Sequence, residues 1–338
     1  MTAEAPEEPT AVPDAQAGPR TAPAWQKLLP WLITLACFAY LYTKISGAAA
    51  REQMSVVAYL LQVFSGVSWG EWMLLMIPYS LLFFAIDTAV VWSVVNWFNT
   101  KLRYFDILPI RGSSYILSIL NEQVGKGAMA LYLNRRYDVP GWQVGSSMLF
   151  IMFCEFYYLL MWASIGYASQ GDTLPEQFKL IPTIAVAALV FLVLFLLFFS
   201  GKLPFGESLR QRDILKAFRE AKPWHYLAVV VLRSPALLSA VVIYTLALRL
   251  FGVEVGFGQM LGYLPVIFFG AATPGPMRTV AISLWVFLFP GHEGQMAAFG
   301  FVQHNFFIFF NAAIGLIFLR RANRELFDSG AGPTAQEG

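Results

Sequence analysis

The sequence predicts an all-α polytopic membrane protein with six full spans and two oppositely oriented re-entrant helical hairpins in an inverted repeat. Three observations carry that prediction. The 338-residue chain is 57% hydrophobic and only 13% charged, far from the balance of a soluble domain. Several apolar runs exceed the ~20 residues that a helix needs to cross the hydrocarbon. A segment in lipid must satisfy its own backbone, so these runs are helices, and the alternating ten-residue segments of a membrane barrel are absent. Finally, one pattern occurs twice at an offset of 152 residues, the separation of Lys126 from Arg278. In each copy a long apolar span is followed by a shorter segment with a Gly- or Pro-marked break carrying a cation, and then by another long span.

The elements follow in order. Residues 1–24 are mostly Ala, Pro, Glu and Thr, too polar to bury, and are expected to be a disordered tail. They lack the basic n-region and cleavage site of a signal peptide. Residues 25–328 are expected to form one transmembrane domain, and 329–338 a second disordered tail. The first span covers 28–45. Residues 53–66 either lie on the surface or extend that span. The first repeat half, 71–167, contains span 72–97, the interrupted segment 106–134 and span 141–167. Span 180–199 is a connector that inverts the second half, 223–319, which contains span 224–250, segment 256–288 and span 294–319. The breaks run from Asn121 to Gly127 and from Thr273 to Thr279. Residues 206–222 place Leu209, Ile214, Leu215 and Phe218 among charges, which suits a helix resting on an anionic leaflet. Trp25, Trp31, Trp69, Trp72, Trp97, Trp142 and Trp224 lie near span ends, where interfacial aromatic belts form.

Orientation follows from the basic loops. Lys202, Arg210, Arg212, Lys216, Arg219 and Lys222 crowd one loop, and Arg320, Arg321 and Arg324 follow the last span. The positive-inside rule puts these segments and both termini in the cytoplasm. All of them fall on that side only if 106–134 and 256–288 each enter and leave by one face. The net charge of +2 points to no nucleic-acid face, and no nucleotide-binding loop occurs. Cys37 and Cys154 sit in apolar spans and form neither a disulfide framework nor a metal pair. No cofactor is expected.

Paired interrupted segments at matching positions are the sequence mark of a midplane binding site. Helix N-termini at Gly125 and Gly275 would present unpaired N–H groups to an anion. Lys126 and Arg278 add full charges there, and Arg233 could supply a third. A snorkelling, purely capping role for the two break cations is the alternative. Asp87, Glu155 and Arg233 lie inside spans, where each costs ~2.5–3.5 kcal/mol unless partnered. Either acid could pair structurally with Arg233, or the acids could couple protons or substrate. Glu122 lies four residues before Lys126, on one helix face. His304, Asn305 and Asn311 occupy the last span, and a lone membrane His is more often a packing residue than a switch.

The run 118–160, with Gly125, Tyr132-Leu133-Asn134-Arg135-Arg136, Val139-Pro140 and Glu155, resembles the transmembrane domain of the lysylphosphatidylglycerol synthase/flippase family. Leu264-Pro265 and Thr273-Pro274-Gly275 resemble its second break. Asn121, Glu122 and Gln123 stand where that family has Pro-Gly-Arg. The resemblance covers about 28–320 and implies a lipid-translocating fold without the large soluble synthase domain. Taken with the break cations, this leads to the expectation of a carrier for a phospholipid or a polyprenyl-phosphate-linked headgroup, its anion held between the hairpin tips at Lys126 and Arg278 against the helix N-termini at Gly125 and Gly275, where Arg233 could add a third cation. A second resemblance, of Pro274-Gly275-Pro276-Met277-Arg278-Thr279 to a break of the undecaprenyl pyrophosphate phosphatase family, implies an intramembrane enzyme instead. Met277 stands there in place of that family's Ser. A non-transporting scaffold is the third reading.

Overall fold

The computed structural model describes residues 24–118, 122–202, 206–272 and 278–327. The expected tails, apart from Ala24, and most of the second break fall outside them. The protein is 87% helical, and no strand occurs among the described residues. Six helices are long and apolar enough to cross a membrane. They are α1 (Ala24–Arg51), α3 (Trp69–Phe98), α6 (Gly141–Gln170), α7 (Ile181–Phe199, extended by a 3₁₀ turn), α10 (Pro223–Arg249) and α13 (Glu293–Phe327). Their outer faces are apolar: Ile184, Leu189 and Phe191 of α7 are all about half exposed. A continuous apolar exterior of this kind fits a hydrocarbon solvent.

Between the long helices lie α2 (Val56–Ser65), α4 (Tyr104–Ser118), α5 (Glu122–Tyr137), α11 (Phe257–Ala272) and α12 (Thr279–Leu288). At one end of the bundle the Asn99 side chain accepts from Ser147 Oγ at 2.6 Å, and Trp97 meets Trp224 edge-on at 5.2 Å. At the opposite end Arg51 pairs with Glu293 at 2.8 Å and Trp69 packs on Phe251. The helices α3 and α10 therefore run antiparallel against each other.

Two crossings stand out. The helix α6 meets α11 at Gly166 and Gly262, where a Cβ on Gly166 would lie 2.5 Å from Gly262 Cα. The helix α4 meets α13 at Gly112 and Gly315, where a Cβ on Gly315 would lie 2.7 Å from the Gly112 carbonyl oxygen. Lipid supplies no hydrophobic drive between helices, so close backbone approach through small residues is what makes such packing favourable.

Of the two expectations for 53–66, the span extension falls: Val56–Ser65 form a separate helix, α2, whose Tyr59 ring packs over Gly294. Three further local expectations need correction. Residues 206–222 do not make one surface helix. They break into α8 (Glu207–Arg210), a 3₁₀ turn and α9 (Lys216–Glu220). This segment is tied to the protein: Ala217 N–H donates to Ser146 Oγ at 2.8 Å, and Phe218 packs on Phe150, Phe153 and Phe195. Trp72 is no belt residue; it is 1% exposed and stands edge-on to Phe306. At the first break α5 already begins at Glu122, so Gly125 lies in its first turn rather than ahead of it.

The glycine crossing generates a test. Gly166→Ala places a methyl against backbone that no rotamer change can clear, and should lower thermal stability by roughly 1–3 kcal/mol. Gly70→Ala meets no atom within 4 Å and should leave the melting temperature unchanged or slightly raised. Melting of both variants in detergent checks this.

Candidate functional site

A cavity of about 340 Å³ lies at the centre of the bundle, walled by α3, α4, α6, α10, α11 and α13 and by Arg278. The sequence explains the walls. Asp87 and Tyr79 lie eight residues apart and so share a face of α3, and Arg111 and Tyr115 lie one turn apart on α4. Just over half of the lining is Phe, Met, Ile, Leu, Val and Ala, and the polar groups are taken in two sets.

The first cluster is centred on Asp87, which is 2% exposed. Arg111 Nε pairs with Asp87 Oδ2, and Tyr115 donates its hydroxyl to the same oxygen at 2.7 Å. Arg233 Nη2 donates to Asp87 Oδ1 at 3.2 Å, while Arg233 Nη1 lies 3.4 Å from Glu155 Oε1. The Arg111 guanidinium also lies over the Tyr115 ring at 4.6 Å. A simple Asp–Arg or Glu–Arg pair was one expectation. The structure instead joins both acids to Arg233 and adds Arg111, so the cluster is electrically balanced. Arg233 thus enters the cavity wall as a compensated charge.

The second cluster contains Arg278, His304, Gln303, Tyr244 and Asn311. Arg278 is the N-cap of α12 and adopts a left-handed backbone, φ 51° and ψ 38°. Non-glycine residues seldom sit there, and those that do cluster at functional sites. No acidic side chain lies within ion-pair distance of Arg278 among the described residues. Among the described residues, the cavity lining therefore holds three arginines against two carboxylates. His304 is 2% exposed, and neither ring nitrogen has a hydrogen-bond partner among the described residues. The Asn311 carbonyl oxygen is likewise buried without a partner there. Buried polar groups normally find partners, so these face the cavity as potential ligand contacts. Gln303 is already bonded to the Tyr244 hydroxyl.

Of the expected site residues, Asp87, Glu155, Arg233, Arg278 and His304 line this one cavity. Gly125 is buried within α5. The side chains of Glu122 and Lys126, and Gly275 altogether, lie outside the described residues. Asn305 bonds to the carbonyl of Phe301 one turn back. Sequence reasoning missed Arg111, Tyr115 and the Tyr244–Gln303 pair. An intramembrane arginine four residues from a tyrosine was the available signal, of the same kind that marked Arg233. Among the described residues no cluster of three or more His, Cys, Asp or Glu could hold a metal.

The network makes a definite mutational prediction. Asp87→Leu leaves two buried guanidiniums short of a counterion and should destabilise by ~3–5 kcal/mol. Because Arg111 remains, Asp87→Leu with Arg233→Met should not restore the fold. Asp87→Leu with Arg111→Met, which leaves the Arg233–Glu155 pair intact, should recover much of the loss. Thermal unfolding of the single and the two double variants measures the coupling, and full rescue by the Asp87→Leu, Arg233→Met variant would reduce the cluster to one pair.

In comparisons with known proteins, no family model, no curated protein and no solved structure matches this chain.

Proposed function

We propose that this protein binds and carries an anionic lipid, a phospholipid or a polyprenyl-phosphate-linked molecule, with the headgroup in the central cavity. The observation that carries the reading is the charge excess: Arg278 faces a largely apolar cavity whose other two arginines are matched by Asp87 and Glu155. The first N–H groups of α12 and the buried His304 stand beside it as further anion contacts. Lys126 joins the proposed site by its place in the repeated sequence pattern. The family resemblance in 118–160 points the same way.

The transport reading adds two re-entrant hairpins and an inverted repeat. Their support is geometric. The pair α4 and α5 begins and ends next to α3 and α6 at one end, and α11 and α12 begin and end at the other. None of these four helices exceeds 16 residues, or about 24 Å, short of the ~30 Å hydrocarbon core. The packing partners also exchange: α4 lies on α13 as α11 lies on α6. Rocking of two such halves would expose the site alternately to the two faces. The basic loop 201–222 orients the protein with that end and both termini in the cytoplasm of a plasma or inner membrane.

Labelling tests the orientation. A cysteine replacing Ser169 should react with an impermeant thiol reagent applied from outside, and one replacing Ser208 should not. Reversed labelling would invert the assignment.

Binding tests the site. Arg278→Gly removes the charge and suits the left-handed backbone, so it should keep or raise thermal stability. It should weaken binding of dioleoyl phosphatidic acid by roughly 10- to 100-fold, the worth of a charge-assisted hydrogen bond of ~1.5–3 kcal/mol. Arg278→Lys should fall between, since an ammonium cannot grip phosphate in two places. Unchanged binding in Arg278→Gly would make this cation structural. Hydrolysis of a lipid pyrophosphate by the parent protein, lost in the variant, would move the assignment to an intramembrane phosphatase.

A further inference from the structure

A second cavity adjoins the first. It is a groove of about 500 Å³ on the outer surface between α6 and α7, and Phe156 lines both spaces. We infer that this groove seats a hydrocarbon chain of the same lipid whose headgroup occupies the central cavity, with Phe156 at the passage between them. The inference rests on the headgroup reading of the cavity and adds the route by which the chain leaves it.

Three features support one continuous amphiphile site. Polarity changes in the right order. The Glu155 side chain is 36% exposed and marks the polar side of the passage, while the groove is walled by Phe153, Ile184, Ala187 and Phe191. The one hydroxyl in the groove, on Tyr157, is already bonded to the Ala188 carbonyl at 2.8 Å, so its ring serves as apolar wall. Among the described residues Phe156 alone lines both spaces; it meets Phe269 of the central cavity at 5.5 Å and is 41% exposed. From Ile184 to Phe191 the groove follows about two helical turns, or roughly 10 Å, room for part of one chain.

Hydrocarbon solvent supplies no hydrophobic drive for a chain to enter such a groove. The chain is held there because its headgroup is anchored in the cavity, and the groove fixes where it departs. Filling the groove should therefore unseat a lipid while leaving a chainless headgroup untouched. That difference separates this inference from the cavity reading beneath it.

The test uses the full chain in detergent with two probes, dioleoyl phosphatidic acid and glycerol 3-phosphate. Ala187→Trp fills the groove, and Val186→Trp places the same bulk on an adjacent residue outside it that is 63% exposed. Ala187→Trp should weaken lipid binding roughly tenfold or more, or about 1.4 kcal/mol, with Ala187→Leu intermediate. Val186→Trp should match the parent. Glycerol 3-phosphate should bind all four proteins alike, which also reports that the variants are folded. Equal lipid binding by Ala187→Trp and Val186→Trp overturns the groove. A parent that binds glycerol 3-phosphate but not the lipid overturns it too, and makes the cavity a site for a soluble anion. A parent that binds neither probe removes the headgroup reading and the groove with it.

Discussion

Everything near the centre of this protein depends on how Asp87 is neutralised. A carboxylate in the middle of a membrane span is expensive unless paired and hydrogen-bonded. Here both oxygens are used: Oδ2 takes Arg111 and Tyr115, and Oδ1 takes Arg233. Those contacts tie α3 to α4 and to α10, and Arg233 extends the tie to Glu155 on α6. The short helix α4 is too brief to hold its depth in a bilayer by length alone. Its position is fixed by this ion cluster and by its glycine contact with α13. The charged part of the cavity wall is thus assembled from side chains whose first duty is electrostatic.

That duty separates the cations into two kinds. Arg111 and Arg233 are occupied by acids, so a ligand anion would have to compete with a buried carboxylate for them. Arg278 sits in the cavity wall free of such competition among the described residues, beside a histidine with no bonded nitrogen there. A balanced cluster at one side and a surplus charge at the other give the cavity a direction. On the proposed reading, an anionic group would be drawn to α12, and the apolar remainder of the wall would accommodate what the anion is attached to.

Much of the architecture was legible. The six spans emerge within a few residues of their sequence boundaries, apart from a longer first one, because an apolar run of ~20 residues leaves no other solution in lipid. Asp87, Glu155, Arg233, Arg278 and His304 were legible because polar groups inside spans are costly, and they do converge. Arg111 escaped because it lies in a segment read as a single interrupted unit. Trp72 was misread because a position near a span end does not reveal which way a ring points. Residues 206–222 were misread for a related reason: an amphipathic pattern asks for an apolar partner, and an aromatic floor on α6 and α7 meets that request as well as lipid does. Which helices pair was illegible, since lipid-embedded helices select partners by small-residue fit rather than by apolar pattern.

The exchanged packing of α4 on α13 and of α11 on α6 bears on how the chain is made. Helix α4 leaves the ribosome about 200 residues before Gly315 arrives to meet Gly112. At ~5–20 residues per second that interval is roughly 10–40 s. During it a helix too short to span the bilayer carries Arg111, whose counterion Asp87 is already in place while Arg233 is still to come. Early pairing of Asp87 with Arg111 would shelter the nascent α4 through that wait. Synthesis order thus favours having Asp87 and Arg111 only 24 residues apart, with the distant Arg233 arriving last to the cluster.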